Sequence, residues 1–410
     1  MAHLERASGC VIYEIGLGTD PSWQPGPVPV RLPARPESAD RDLRLTYFET
    51  RLCDVLYGSA SIPVRWHRMY DPPRRLAGAD IGSVEVLRMP LAGGDLGLAI
   101  LHADLRDDPV AGLEALSRLA APTAPGGERA LLTGLLPVGA SLLPRSVRAR
   151  TVAHVTFSGG PVHAMSAAYA GWTPVEQWLW LLASATTEAR FAPDPEDPAI
   201  RSGTVYFSAD WKALVLRDGT AFVGTSPDPG GDCFHALARA HVHSIYLDAL
   251  VVGCMQLHAL NDVANRVAGV DAARLDAERL AELEHRLMHV RRQLWSGHIT
   301  VRGKGNEVLR QFQAQHALPA LLDGIVSELA DAGRLVEAVT NRSVNAALGL
   351  LTVLGLPVGA AFAAAGLWGD PSPRLLLLAV LAAAAGSALI VAVVPPARQM
   401  LRTLWRRRPR

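Results

Sequence analysis

VNAALGLLTVLGLPVGAAFAAAGLW, residues 344–368, and LLLLAVLAAAAGSALIVAVV, residues 375–394, run 25 and 20 positions without a charge. About 20 apolar residues cross the hydrocarbon layer as a helix, so both stretches are long enough to span. Only GDPSPR, 369–374, separates them, which predicts an antiparallel membrane hairpin at 344–394. The tail at 395–410 carries Arg398, Arg402, Arg406, Arg407, Arg408 and Arg410 without an acid. Positive residues stay inside, so the expected location is the inner membrane, multi-pass, with both termini cytoplasmic.

Working outward from the hairpin, Pro319 is followed by no proline until Pro357. That run predicts one rod from 319 to 368, ~75 Å long at 1.5 Å per residue. Leu322, Ile325, Leu329, Ala332, Val336 and Val339 step by three and four along it, a seam that must bury itself against other helices. Another stripe is small or polar and continues as Asn345, Gly349, Thr352, Gly355, Gly359 and Gly366. Small residues allow close helix approach, and they also leave a lumen open to water or a hydrated ion. These six are the candidate pore-lining positions. Asp331, farther up the rod, and Asp370, in the turn, are the candidate cation ligands.

Upstream, residues 1–228 read as a mixed α/β domain. Strand candidates are Cys10–Ile15, Ser83–Met89, Gly97–Ala103 and Thr151–Phe157, with a helix expected near Leu43–Tyr57. AGGD at 92–95 and Asp218-Gly219 are turn signals, the second marking a hairpin between apolar runs. Thr173-Pro174 opens an aromatic helix. From Gly230-Gly231-Asp232 the pattern turns helical, and 229–343 is expected to form a stalk. The fold class is therefore an α/β cytoplasmic domain, long stalk helices and a C-terminal two-helix transmembrane hairpin.

The end of the chain resembles the CorA family of divalent-cation channels and transporters. Asn345, Leu348, Leu351 and Thr352 fit that family's N-x-x-M-x-x-L-T pattern with leucine for methionine. Trp368 and Gly369 fall on the Tyr and Gly of its Y-G-M-N motif, while Asp370 and Pro371 replace the Met and Asn. Trp368, Gly369 and Asp370 would then stand at the pore mouth. The resemblance implies a homopentamer in the lipid bilayer that moves a divalent cation such as magnesium, with no tightly bound cofactor. The alternative is a non-conducting sensor or scaffold of the same architecture.

Other chemistry is sparse. The net charge of +1 gives no field that would attract nucleic acid. His285 and His289 have the i, i+4 spacing of a shared metal but lack the glutamate of H-E-x-x-H. His241 and His243, two apart, would point away from each other on a helix, and so would Cys233 and His235. VRGKGNE at 301–307 could form an anion nest ahead of a helix, but it is not G-x-x-x-x-G-K-[ST] and reads first as a plain interhelical turn, and SGGP and GTSPDPGG lack a nucleophile-elbow context. No Ser/His/Asp set or carboxylate pair stands out, so the chain is expected not to be an enzyme.

Overall fold

The computed structural model describes residues 2–32, 39–59, 61–89, 95–143, 149–165, 171–187, 196–225, 234–269, 277–295 and 298–367, with a few isolated positions besides. The chain divides into two compact units, Met1–Gly269 with Glu282–Val326, and Val270–Ala281 with Ser327–Arg410. The first unit is built on a ten-stranded sheet.

Its strands are β1 (His3–Gly16), β2 (Gln24–Pro25), β3 (Arg65–Leu76), β4 (Ala79–Arg88), β5 (Leu96–Asp104), β6 (Ser141–Leu142), β7 (Arg150–Ser158), β8 (Thr204–Tyr206), β9 (Trp211–Val215) and β10 (Gly219–Gly224). They lie in the order β2-β3-β4-β5-β1-β7-β10-β9-β8, with β6 on β1. Every pair is antiparallel except β7 with β10. Asp218-Gly219 makes the expected hairpin between β9 and β10. β3 had no counterpart in the sequence reading, because Pro72 and Pro73 interrupt its pattern. Proline is tolerated there because the two-residue β2 pairs only with Trp66 and His67, leaving the rest of β3 an edge.

Successive strand residues alternate between the two faces of a sheet, and here both faces are covered. Val11, Tyr13, Ile15, Leu101, Val84 and Phe157 bury one face against α3 (Pro109–Arg118), α4 (Gly126–Leu135) and α5 (Pro174–Ser184). The Tyr13 hydroxyl donates to the Leu116 carbonyl of α3 at 2.6 Å. Asp108 accepts from two amides at the start of α3, and Thr173 with Glu176 forms a capping box on α5. Such caps contribute about 1 kcal/mol each, and the one at Thr173 marks the helix start expected from Thr173-Pro174.

The opposite face lies under α1 (Ala39–Tyr47), α2 (Thr50–Tyr57), α7 (Phe234–His241), a π-helical turn (Val242–Tyr246) and α8 (Leu247–Ala268). The single helix expected at Leu43–Tyr57 is thus two. α10 (Gly303–Gln315) packs on α8 and β9. At Gly253 of α8 an added Cβ would overlap the Phe312 ring of α10, so the close approach of these helices requires glycine. Of the segment expected as a stalk, α7, the π-helical turn, α8 and α10 therefore lie against the sheet unit. α9 (Ala277–Gln293) completes the shorter helices.

α11 runs unbroken from Leu318 to Leu367, 50 residues. Among the described residues, however, no helix is long and apolar enough to cross a membrane. That finding overturns the transmembrane hairpin, the multi-pass inner-membrane location and the cation pore. The misleading signal was absence of charge over a long run. Alanine and glycine make up 11 of the 24 residues 344–367, and they lengthen a charge-free run while adding little apolar surface per turn. The second run and the arginine tail lie largely outside the described residues.

Candidate metal centre

The covered polar face of the sheet begins with β1, whose Ser8 and Cys10 point away from Val11 and Tyr13. In the β1–β5 ladder Cys10 stands opposite His102, and Ser8 opposite Asp104. On the other flank of β1, Ser8 stands opposite His154 of β7. β4 adds Glu85 and β3 adds Arg65, both fully buried. Directly opposed residues on adjacent strands lie about 5 Å apart, so register alone brings these side chains together.

A helix laid over this face supplies the remaining groups. Arg239 closes α7, His243 sits in the π-helical turn and Asp248 begins α8. Five residues separate His243 from Asp248, which on a regular α-helix would leave them ~140° apart. The wider π turn lets both face the sheet. Single π turns inside helices recur at functional sites for this reason.

Cys10 Sγ is 3.4 Å from His102 Nδ1 and 3.2 Å from His243 Nδ1, and the two Nδ1 atoms are 3.1 Å apart. All three residues are buried, and together they form a cluster that could hold a metal ion. A tetrahedral zinc, with bonds of about 2.3 Å to sulfur and 2.0–2.1 Å to nitrogen, places its donors roughly 3.3–3.6 Å apart. The observed triangle is that size to within a few tenths of an ångström.

The far nitrogen of each ring is tied down. His102 Nε2 donates to Glu85 Oε1 at 3.2 Å. His243 Nε2 lies 2.9 Å from Ser8 Oγ, which also accepts from Arg239 Nε at 3.2 Å. With the Nε2 atoms committed outward, both Nδ1 atoms face the sulfur. Burial works against charge on His102, but Cys10 and Glu85 more than offset it and raise its pKa to about 10. Burial, with His102 and Arg239 beside it, holds His243 well below the usual histidine range, so it is neutral. Without a metal His102 therefore keeps a proton toward Cys10, and a cation would displace it.

Behind the cluster runs a buried ion network. Arg65 donates to Glu85 Oε2 at 2.6 Å and to Asp248 Oδ1 at 2.6 Å. Arg44 of α1 donates to Asp248 Oδ2 at 2.9 Å and to Asp40 at 3.0 Å, and the Tyr57 hydroxyl reaches Asp248 at 2.8 Å. Against the cost of burial, Arg65 and His102 hold the Glu85 carboxyl well below the usual carboxylate range. Glu85 is thus an ionised acceptor, locked in place to orient His102.

In front of the cluster lies a cleft of about 460 Å³, with His102 and His243 among its walls. Cys10 is 0% exposed and is not among its lining residues. The two histidines are therefore the donors that reach the cleft.

The residues singled out from the sequence lie elsewhere. Asn345, Gly349, Thr352, Gly355, Gly359 and Gly366 fall along α11, where Thr352 Oγ1 donates to its own helix at Leu348. A Cβ at Gly355, Gly359 or Gly366 would meet nothing within 4 Å. Asp331 is exposed and ion-paired with Arg334. Trp368, Gly369 and Asp370 lie outside the described residues, as does Cys233. His285 and His289 are exposed on α9. Of the pair His241 and His243, only the second joins the cluster. Cys10 and His102 were passed over, although a cysteine and a histidine inside otherwise apolar strands are the kind of exception that marks a site.

No protein-family model, no curated protein and no solved structure matches this chain. The resemblance to the CorA family is withdrawn with that result. It rested on four positions of α11 and a motif already missing its Met and Asn, and the homopentamer rested on it alone.

Proposed function

We propose that the protein binds a zinc-type divalent cation on Cys10 Sγ, His102 Nδ1 and His243 Nδ1, and uses it as a Lewis-acid centre open to the cleft. The observation that carries this reading is the orientation of the two histidines. Each turns Nδ1 to the sulfur and anchors Nε2 on a second group, Glu85 or Ser8. Ligating histidines are held in this way, with the partner setting the tautomer. One sulfur and two nitrogens suit zinc, cobalt or copper, whereas magnesium and calcium prefer oxygen. Structural zinc sites close with four protein ligands, and catalytic ones keep a position for water or substrate. Three donors beside a cleft fit the second kind, and a bound water there would have its pKa lowered toward about 7.

A nucleophilic Cys10 activated by His102 is the weaker reading, because the sulfur is fully enclosed and has no wall in the cleft.

Purified protein should bind one Co²⁺ per chain, with a sulfur-to-cobalt charge-transfer band, and Zn²⁺ should displace it while Mg²⁺ does not. Cys10→Ser should abolish the band, and His243→Ala should weaken binding by 10-fold or more, as losses around such centres do, by about 10–100-fold. A protein that takes up no cobalt, or whose band survives Cys10→Ser, would exclude the centre.

A further inference from the structure

The cleft in front of the cluster has a mixed lining. Val28, Val30, Met69 and Tyr70 give it apolar surface. Three arginines, Arg6, Arg31 and Arg239, also line it, against one carboxylate, Asp104. Arg239 is committed, to Asp104 Oδ1 at 2.5 Å and to Ser8 Oγ at 3.2 Å. Arg6 and Arg31 are exposed, and no carboxylate pairs with either guanidinium among the described residues. Cations gathered without counter-charge around a concave site raise the local concentration of anions and bind them by charge-assisted hydrogen bonds.

His154 reports the same field from beneath. It is fully buried beside Ser8, and among the described residues neither ring nitrogen has a partner. Burial together with Arg239, His235 and Arg6 pushes its pKa down to about 3. Arg6 and Arg239 thus act on one spot, next to the hydroxyl that braces His243. The volume of about 460 Å³ falls in the range of small-molecule sites, roughly 300–1,000 Å³.

We infer that the cleft receives a small molecule with an anionic head, a carboxylate or phosphate, and an apolar body. The head is held by Arg6 and Arg31 and completes the coordination of the metal, so the inference rests on the metal centre proposed above. The body lies against Val28, Val30, Met69 and Tyr70.

The test uses the full chain loaded with Co²⁺ and three probes, phenyl phosphate, benzoate and the neutral benzyl alcohol. The two anions should shift the cobalt d–d spectrum with saturation, and benzyl alcohol should not. Arg6→Gln combined with Arg31→Gln should weaken the anions roughly tenfold or more, since a hydrogen bond to a charged group is worth about 1.5–3 kcal/mol. Cobalt affinity should be unchanged in that variant, because neither arginine touches a ligand. Arg239 is left intact because it braces Ser8. If cobalt binds but no anion moves its spectrum, or benzyl alcohol moves it equally, or the double variant binds the anions as well as the wild type, the inference is overturned while the metal centre stands. If cobalt does not bind, the metal reading fails first, and calorimetry with phenyl phosphate on the metal-free protein decides the rest. Binding that the double variant weakens would uphold the arginine cleft without the coordination, and no binding would overturn both.

Discussion

The same central strands present Val11, Tyr13 and Leu101 to one face of the sheet and Ser8, Cys10 and His102 to the other. Under α3, α4 and α5 the first face is a continuous apolar core, in which the buried Tyr13 hydroxyl donates to a helix carbonyl. Under α1, α7 and α8 the second face buries arginines, carboxylates, histidines and a thiol within a few ångströms of one another. Both faces are largely buried, so the difference lies in how each group is compensated. Burying a leucine stabilises the fold by itself, whereas each ion on the second face is tolerable only with its partner in place. A face assembled at that cost adds little stability over an apolar one, and its worth lies in the geometry it imposes on Cys10, His102 and His243.

The sharpest way to break the comparison is to remove the shared acid of the polar face. Asp248→Asn leaves Arg44 and Arg65 buried with a neutral partner and strips the acceptor from Tyr57. Urea unfolding should show a loss of about 3–5 kcal/mol, and cobalt binding should weaken as Glu85 loses its brace. A loss below about 1 kcal/mol would mean that the network is not what holds this face together.

On the apolar face, Leu101→Ala should cost about 3 kcal/mol, within the usual range for a buried leucine. Its signature is different, since metal stoichiometry by cobalt titration should stay at one per chain. Cobalt binding that falls in step with stability would show that the two faces are not separable.

Acid provides the smallest and most selective probe. The folded pKa of His154 is about 3, below the ordinary value, so the fold favours its neutral form. Its contribution is complete above about pH 6.5 and is lost progressively as pH falls toward 3, with roughly 2 kcal/mol gone between pH 7 and pH 5. His154→Phe should remove that part of the slope when urea midpoints are compared across this range. An unchanged slope would place the acid sensitivity of the fold elsewhere.

Much of the apolar face was legible from local pattern. β4, β5, β7 and the β9–β10 hairpin were expected from alternation and turn residues, and α5 from Thr173-Pro174. The long charge-free runs were read as spans from their length and absence of charge, whereas no helix among the described residues is long and apolar enough to cross a membrane. The site was not legible. His102 is 92 residues from Cys10 and 141 from His243, and none of the three sits in a motif with metal-ligand spacing. His243 was set aside on the assumption of regular helical geometry, and the π-helical turn is what that assumption omits.

The sequence by itself determined what depends on near neighbours: which residues alternate, where Asp218-Gly219 reverses the chain, and where Thr173 starts a helix. These follow from backbone sterics and hydrogen bonds within a few residues. Tertiary structure alone decided that Cys10 faces His102 across the β1–β5 register, that a π turn rotates His243 onto both, and that Glu85 and Ser8 orient the rings. Register and helix phase are set by the packing of two whole layers, and donors brought together that way leave no spacing in the chain from which to read them.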